Sequence, residues 1–289
     1  MNQEIQLGKV SIMDMYNGKF KNTLNIKNTL EELAGLIIRG GWPSNINVAK
    51  DKIGIIPKSY INAILDKDIT DDKNRDKNKM RMLLKSLARN ESSLVSNKTL
   101  LRDIEEYENS DNIIESRITT ADYLDVLNRL HIIKYQNPYS ENYRSPSRVG
   151  KAAKIHFIDP SLACSMLDLT IPKLIDDLNT FGLMFESLVQ RDLRIYIECL
   201  NGNIYHFRDN VTGLEVDSIL EFENGDYAAI EIKLGFNQVE KAKENLIRFS
   251  QNMDKKPKFM CIVVGYTDII AKDPNTGIYI VPITALKPE

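Results

Sequence analysis

A glutamate and a lysine, Glu231 and Lys233, stand two residues apart inside an apolar stretch that is typical of a β-strand. Because side chains alternate along a strand, both project from one face, while Ile230, Ile232 and Leu234 project from the other. Buried charges must be paired or bound to a metal, so this pair requires an explanation. Taken alone, it is also typical of a surface ion pair that stabilises little.

A second acid, Asp217, lies on the preceding predicted strand, and the length of the intervening turn decides whether it meets Glu231. A two-residue turn would put Asp217 on the opposite face of the hairpin. A three-residue loop, Glu223-Asn224-Gly225, with the glycine in the left-handed conformation, pairs Phe222 with Asp226 and therefore Asp217 with Glu231. We expect this second register, in which two carboxylates meet across adjacent strands.

Two adjacent carboxylates repel each other unless a cation lies between them, and hard oxygen ligands suit Mg²⁺ or Mn²⁺. The ion would polarise a phosphoryl oxygen and help to ionise a water, and Lys233 would orient that water or stabilise charge on phosphorus. Glu186, on the preceding predicted helix, is a candidate further ligand, although singly it is also typical of an exposed helix glutamate. The sequence thus predicts phosphodiester hydrolysis by Glu186, Asp217, Glu231 and Lys233, with metal ligands Asp217, Glu231 and Glu186.

These motifs resemble the signature of a known nuclease superfamily, PD-(D/E)XK, in both order and spacing. The matching segments are Gly182-Leu-Met-Phe-Glu186, Glu215-Val-Asp217 and Ala229-Ile-Glu-Ile-Lys233. The chain also resembles the C-terminal half of prokaryotic AAA-type P-loop ATPases, which carry a nuclease-like domain of unknown function behind a winged helix. That likeness spans roughly residues 10 to 265 and is carried by Arg39-Gly-Gly-Trp-Pro43, Tyr60–Ile69 and Ile155-His-Phe-Ile-Asp-Pro160.

The chain departs from these ATPases because it has no Gly-x-x-x-x-Gly-Lys-Ser/Thr motif, so we expect no ATP binding through a P-loop. A smaller departure is Leu234-Gly235 directly after Lys233, where related sequences are often small and polar. An alternative function is therefore a non-catalytic module, a relic of an AAA-type ATPase that binds DNA, an ATPase or another protein. A third interpretation is a truncated reading frame whose first residues are the end of a lost ATPase domain.

Hydrophobic periodicity predicts a mixed α/β (α+β) chain of three domains. Residues 1–75 are a helical lead segment, which the resemblance implies is a remnant of an ATPase-linked region; one helix runs to Gly40-Gly41 and a second follows Pro57. Residues 76–165 contain three helical patterns and a hairpin, the order of a winged helix, although a plain three-helix module has the same pattern. Residues 166–289 combine a mixed sheet with flanking helices, as in a restriction-endonuclease-like domain.

In the predicted winged helix, Thr119-Thr120 caps the third helix, and strands His131–Gln136 and Lys154–Ile158 flank a wing over residues 138–150. Asp122 and Asp125 on the third helix would face a phosphate backbone, which favours contacts with DNA shape or backbone over base reading. The basic residues predicted to contact nucleic acid are Lys79, Arg81, Arg144, Arg148, Lys151 and Lys154. A solvated face is the alternative explanation of such a charge run.

Composition limits the remaining possibilities. The net charge of −2 gives the whole molecule no attraction to nucleic acid, so binding would have to come from local patches. No apolar run approaches the roughly 18 residues of a membrane helix, and residues 1–8 lack a signal-peptide pattern, so we expect a cytoplasmic protein without membrane contact. The three cysteines, Cys164, Cys199 and Cys261, are widely separated among apolar neighbours, and we expect buried thiols rather than a zinc site.

Overall fold

The computed structural model describes residues 8–24, 28–66, 77–105, 117–145 and 153–289, which form a mixed α/β fold as expected. Contacts divide these residues into two compact units. The sheet unit takes its described residues from 1–30, 137–151 and 189–289, and the helical unit takes its described residues from 31–136 and 152–188.

Most of the described helices lie before residue 199, and most of the described strands lie after it. The helices are α1 Ile12–Tyr16, α2 Leu30–Arg39, α3 Ile55–Asp66, α4 Lys77–Arg89, α5 Asn97–Glu105, α6 Arg117–Arg129, α7 Pro160–Met166, α8 Ile171–Asp176, α9 Leu178–Glu198 and α10 Val239–Asn252. The strands are β1 Thr23–Leu24, β2 Ile133–Gln136, β3 Lys154–Phe157, β4 Asn203–Asp209, β5 Leu214–Glu221, β6 Tyr227–Gly235, β7 Phe259–Tyr266, β8 Ile269–Lys272 and β9 Tyr279–Pro282.

A seven-stranded mixed sheet, in the order β1-β8-β9-β7-β6-β5-β4, organises the described residues of the sheet unit. Strands β4, β5 and β6 form an antiparallel meander, after which α10 leads to β7, which runs parallel to β6. Strand β9 pairs in parallel with β7 and antiparallel with β8, and β1 extends the edge beyond β8. The sequence predicted the β5–β6 hairpin of this mixed sheet but neither β1 nor β8, and β1 has only two residues, too few to show an alternating pattern.

Helix α10 covers one face of this sheet with apolar side chains at helical spacing. Val239, Ala242, Leu246 and Phe249 are buried, and the helix packs against β5, β6 and β7. Burial of one such large apolar side chain contributes about 1.5–3 kcal/mol, so this face fixes the position of the helix. The opposite, polar face of α10 is thereby presented to solvent.

In the helical unit, α4, α5 and α6 precede an antiparallel pair, β2 and β3, as the sequence predicted. Helix α6 begins at Arg117, so Thr119 and Thr120 lie inside its first turn, and the prediction that they cap it is wrong. Asp159 follows β3 and caps α7: its Oδ1 accepts a hydrogen bond from Ser161 N at 2.9 Å, and proline stands at the first position of the helix.

The loop between β2 and β3, predicted as a wing, joins the sheet unit in its described part. Tyr139 N donates to His206 O at 2.7 Å, and His206 N donates to Asn137 O at 3.0 Å. The Tyr139 ring lies 5.1 Å from that of Tyr227 in the core beneath the sheet. The unpaired backbone groups of the edge strand β4 explain this pairing, which periodicity along one segment does not reveal.

The cysteines and helices test two expectations from composition. Cys164 and Cys261 are buried, as expected, and burial raises the pKa of both thiols. Cys199 is exposed, contrary to expectation, because it stands in the turn that follows the end of α9. Within the described segments, no helix is both long enough and apolar enough to span a membrane.

Candidate active site

The hairpin of β5 and β6 has the register that a three-residue loop requires. Phe222 N donates to Asp226 O at 2.8 Å, and the strands stay in this register up to Ser218. Gly225 has φ of +78°, the left-handed conformation that glycine adopts without strain. The loop prediction is confirmed, and continuing the register by one pair sets Asp217 opposite Glu231.

Lys233 connects the two carboxylates. Its Nζ lies 3.1 Å from Asp217 Oδ2 and 2.5 Å from Glu231 Oε2. Asp217 Oδ2 also accepts a hydrogen bond from Ile232 N at 2.8 Å. The Glu231 residue is only 3% exposed, so two acids and one cation share a site with little water around the second acid.

The proximity of these groups shifts their proton affinities. Burial and the neighbouring charge of Asp217 raise the pKa of Glu231 to about 8, and the contacts with Lys233 and Asn245 offset only part of this rise. Burial lowers the pKa of Lys233, but the attraction of the two acids outweighs burial, so the net shift is upward. Lys233 therefore holds its proton more tightly than an exposed lysine, and Glu231 holds its proton more tightly than an exposed glutamate.

Two amide side chains hold the acid-bearing strands. Asn245 Nδ2, on α10, lies 2.6 Å from Glu231 Oε1. Gln190 Nε2, on α9, donates to Asp217 O at 2.9 Å and to Ser218 Oγ at 2.6 Å, and Gln190 is almost fully buried. The sequence analysis missed both residues. For Gln190 the available signal was its position four residues after Glu186, directly after the apolar Leu188 and Val189.

An open cleft of about 750 Å³ contains this site. This volume is in the range of pockets that hold small ligands or one segment of a larger one. The further charged or amide side chains along the cleft are Glu215, Asn237, Gln238, Lys241, Glu244, Asn245 and Arg248. Most of the residues that line the cleft are charged or carry an amide, which suits a charged ligand.

Glu186, the third predicted acid, binds Lys154 within the helical unit. Glu186 Oε1 lies 2.9 Å from Lys154 Nζ, and the two side chains are 15% and 11% exposed. The sequence had assigned these residues to separate roles, as a metal ligand and as a nucleic-acid contact. Both roles stay predictions, and the ion pair gives each residue a structural role that the sequence did not indicate.

The other predicted nucleic-acid contacts divide between the two units. In the helical unit, Lys79 is half-buried on α4, and Arg81 Nη2 donates to Asn62 Oδ1 at 3.2 Å. In the sheet unit, Arg144 is exposed. Arg148 and Lys151 lie outside the described residues.

Asp217 and Glu231 fit a hard divalent cation such as Mg²⁺ or Mn²⁺. Both supply oxygen donors, and the raised pKa of Glu231 indicates a buried position with too much negative charge for its surroundings. Among the described residues, no cluster of three or more His, Cys, Asp or Glu side chains has metal-binding geometry. An ion held by these two carboxylates would keep its other coordination positions for water or substrate oxygens.

Comparison with protein families assigns most of the chain to two domains of unknown function. The family model of DUF8612 matches residues 30–173, and that of DUF4143 matches residues 181–286. DUF4143 is found in proteins associated with AAA-type ATPases, and its match includes the positions of all four predicted site residues. Neither the curated proteins nor the solved structures gave a significant match.

Proposed function

We propose that the sheet unit is a metal-dependent phosphodiester hydrolase of the PD-(D/E)XK type that acts on DNA. The observation that carries this proposal is the approach of Asp217 and Glu231 across adjacent strands, with Lys233 bonded to both at the open cleft. The positions of the motifs support the proposal, because Glu186 lies on α9, Asp217 on β5, and Glu231 with Lys233 on β6, in the order of the motifs that carry the resemblance. Association of DUF4143 with AAA-type ATPases supports a related cellular setting.

Each residue of the site has a definite task in this reaction. Asp217 and Glu231 would hold Mg²⁺ or Mn²⁺, which when bound polarises a phosphoryl oxygen and makes a coordinated water more acidic. Lys233 carries three N–H donors and uses two on the acids, so one remains for the attacking water or a phosphoryl oxygen. Asn245 orients Glu231, and the backbone N–H of Ile232 orients Asp217.

DNA contact by the helical unit is part of the same proposal. Three helices followed by an antiparallel strand pair support a winged-helix-like module, and the basic helix α4 offers phosphate contacts through Lys79 and Arg81. The engagement of Lys154 by Glu186 counts against Lys154 as such a contact. The sheet unit adds Arg144, which is exposed.

A non-catalytic interaction module is the second candidate function, and one observation favours it. Glu186 is bound to Lys154, so one of the three predicted metal ligands has a lysine as its partner. In this alternative, the domain docks on DNA or on a separately encoded AAA-type ATPase without turnover. The association of DUF4143 with such ATPases supports an ATPase as the partner.

Cleavage of supercoiled, linear, single-stranded and branched DNA with Mg²⁺ or Mn²⁺ tests the proposal. We expect metal-dependent cutting by the wild type, loss of cutting in Lys233→Ala, and full cutting in Lys287→Ala, which removes an exposed lysine outside the cleft. Calorimetry should show that Asp217→Ala and Glu231→Ala each abolish metal binding. A wild type that binds DNA or an ATPase but neither binds metal nor cuts DNA would support the second candidate instead.

A further inference from the structure

We infer that a nucleic-acid strand runs along α10, with Lys241 and Arg248 binding phosphates on the two sides of the scissile one. This inference rests on the proposed function and deepens it, because it identifies the side chains that select a polymer of phosphodiesters over a small phosphate ester. Neither residue belongs to the acid and lysine motifs that the sequence analysis identified.

The positions of these residues on α10 supply the first argument. Lys241, Asn245 and Arg248 are at i, i+4 and i+7, so they lie along one face of the helix, beside its buried face. All three line the cleft that contains the two acids. Since Asn245 Nδ2 is 2.6 Å from Glu231 Oε1, the catalytic acids lie beside the middle of this stripe and the two cations lie at its ends.

The spacing of the cations suits a polymer. Seven residues of α-helix extend about 10.5 Å along the axis, at about 1.5 Å per residue. Phosphates of one duplex strand follow one another at about 3.4 Å along the duplex axis, so this interval covers about three phosphate steps.

Both cations are available for an external anion. In the described part of the chain, the exposed Lys241 has no ion-pair partner. Arg248 likewise pairs with no carboxylate among the described residues, and its Nη2 donates to Thr212 O at 3.2 Å. The nearby Lys243 differs, because its Nζ lies 2.6 Å from Asp273 Oδ2 and 2.8 Å from Glu240 Oε1.

The charge of the cleft makes strand binding dependent on the metal. Its carboxylates outnumber its cations by one, four to three, and a single divalent ion reverses that excess. Glu215 is also neutralised from outside the cleft by Arg208, at 2.6 Å. Glu244 lies on the same face of α10 as the two cations and repels a phosphate, so its removal should strengthen strand binding.

Fluorescence anisotropy with labelled single-stranded and duplex oligonucleotides tests this inference. Titrations of Lys241→Ala, Arg248→Ala, Glu244→Gln and the control Lys287→Ala are run in EDTA and in Ca²⁺, and the oligonucleotide is checked for integrity afterwards. Each lost phosphate contact should reduce the slope of log K against log salt by about 0.7–0.9, which is a loss of about five- to eightfold in affinity at 0.1 M salt. Glu244→Gln should bind more tightly than the wild type, and Ca²⁺ should strengthen binding by the wild type.

A second substrate separates this inference from the proposed function. Hydrolysis of bis(p-nitrophenyl) phosphate with Mn²⁺ should persist in Lys241→Ala and Arg248→Ala and disappear in Lys233→Ala. The inference would be overturned if Lys241→Ala and Arg248→Ala bound the oligonucleotide as tightly as Lys287→Ala does. It would also be overturned if the wild type did not bind the oligonucleotide in Ca²⁺. A wild type that neither hydrolyses the small substrate nor binds metal would count against the proposed function. The anisotropy titrations would still decide whether Lys241 and Arg248 bind phosphates.

Discussion

Lys154 Nζ binds Glu186 Oε1 at 2.9 Å, joining β3 to α9 across 32 residues of sequence. Both side chains are largely buried, and removal of one member of such a pair leaves an uncompensated charge. We therefore expect Glu186→Gln to lower the free energy of unfolding by about 3 kcal/mol. Urea unfolding measures this loss.

A double variant distinguishes this structural role of Glu186 from metal ligation. Lys154→Met combined with Glu186→Leu should recover most of the stability, because both charges are replaced by apolar groups of similar volume. Mg²⁺ affinity should change little in either variant. A Glu186→Gln protein with unchanged unfolding but much weaker Mg²⁺ binding would show instead that Glu186 is a metal ligand.

The ionised Glu231 side chain should lower the free energy of unfolding of the metal-free protein, although metal binding requires this carboxylate. Its folded pKa lies above that of an unfolded glutamate, so the folded state holds the proton more tightly and stability falls as the pH rises between about 4.5 and 8. Glu231→Gln keeps the uncharged form. We expect the thermal unfolding midpoint of Glu231→Gln to be higher than that of the wild type. The difference should grow between about pH 4.5 and pH 8 and stay constant above that range.

Metal affinity of the wild type should show the complementary pH dependence. Because a bound cation requires deprotonated Glu231, Mg²⁺ or Mn²⁺ affinity should rise as the pH approaches 8, and Glu231→Gln should not bind the ion. Glu240→Gln is the control, since the Glu240 side chain is 80% exposed and outside the cleft. Equal pH dependence of thermal stability in wild type and Glu231→Gln would contradict the raised pKa.

Local sequence patterns were sufficient for the hairpin that carries the site. Alternation placed Glu231 and Lys233 on one face of a strand, and a glycine suited to the left-handed conformation fixed the loop length and the partner of Asp217. Both features depend on residues within a short stretch of chain. The sequence therefore predicted the register and the approach of the two acids before any tertiary contact was known.

Contacts between segments that are distant in the sequence could not be predicted from local sequence patterns. The pairing of β1 with β8, of the loop at Tyr139 with β4, and of Lys154 with Glu186 depends on which surfaces meet after folding. Composition and periodicity of one segment contain no information about that choice. The contact of Asn245 with Glu231 was not predicted for the same reason, because only the packing of α10 on the sheet brings the Asn245 amide to Glu231.

Asn245 should increase the metal affinity of the site, although it is not part of the acid and lysine motif. Its Nδ2 donates to Glu231 Oε1 at 2.6 Å, and a partner of this kind orients a metal-binding carboxylate. We expect Asn245→Ala to weaken Mg²⁺ or Mn²⁺ binding by about 10- to 100-fold, as measured by calorimetry. The matched control is Asn252→Ala, at the exposed end of the same helix, which should bind the ion like the wild type.

A buried network at His156 should determine much of the stability of the helical unit. His156 Nδ1 lies 3.1 Å from Glu91 Oε1, and Nε2 lies 3.0 Å from Gln136 Oε1. The other oxygen of Glu91 accepts a hydrogen bond from Phe157 N at 3.0 Å. Which ring nitrogen donates and which accepts depends on the tautomer of the imidazole and on the orientation of the Gln136 amide.

Glu91→Gln should destabilise the protein by about 1–3 kcal/mol, because one of the two carboxylate oxygens that contact His156 and Phe157 N is replaced by an amide nitrogen, which cannot accept a hydrogen bond. Glu31→Gln, which removes an exposed partner of Lys50, should cost less than about 1 kcal/mol. Urea unfolding provides the comparison, and nitrogen NMR of labelled histidine reports whether both ring nitrogens of His156 carry protons. Equal effects of the two substitutions would show that the buried network at Glu91 contributes no more to stability than the exposed ion pair of Glu31.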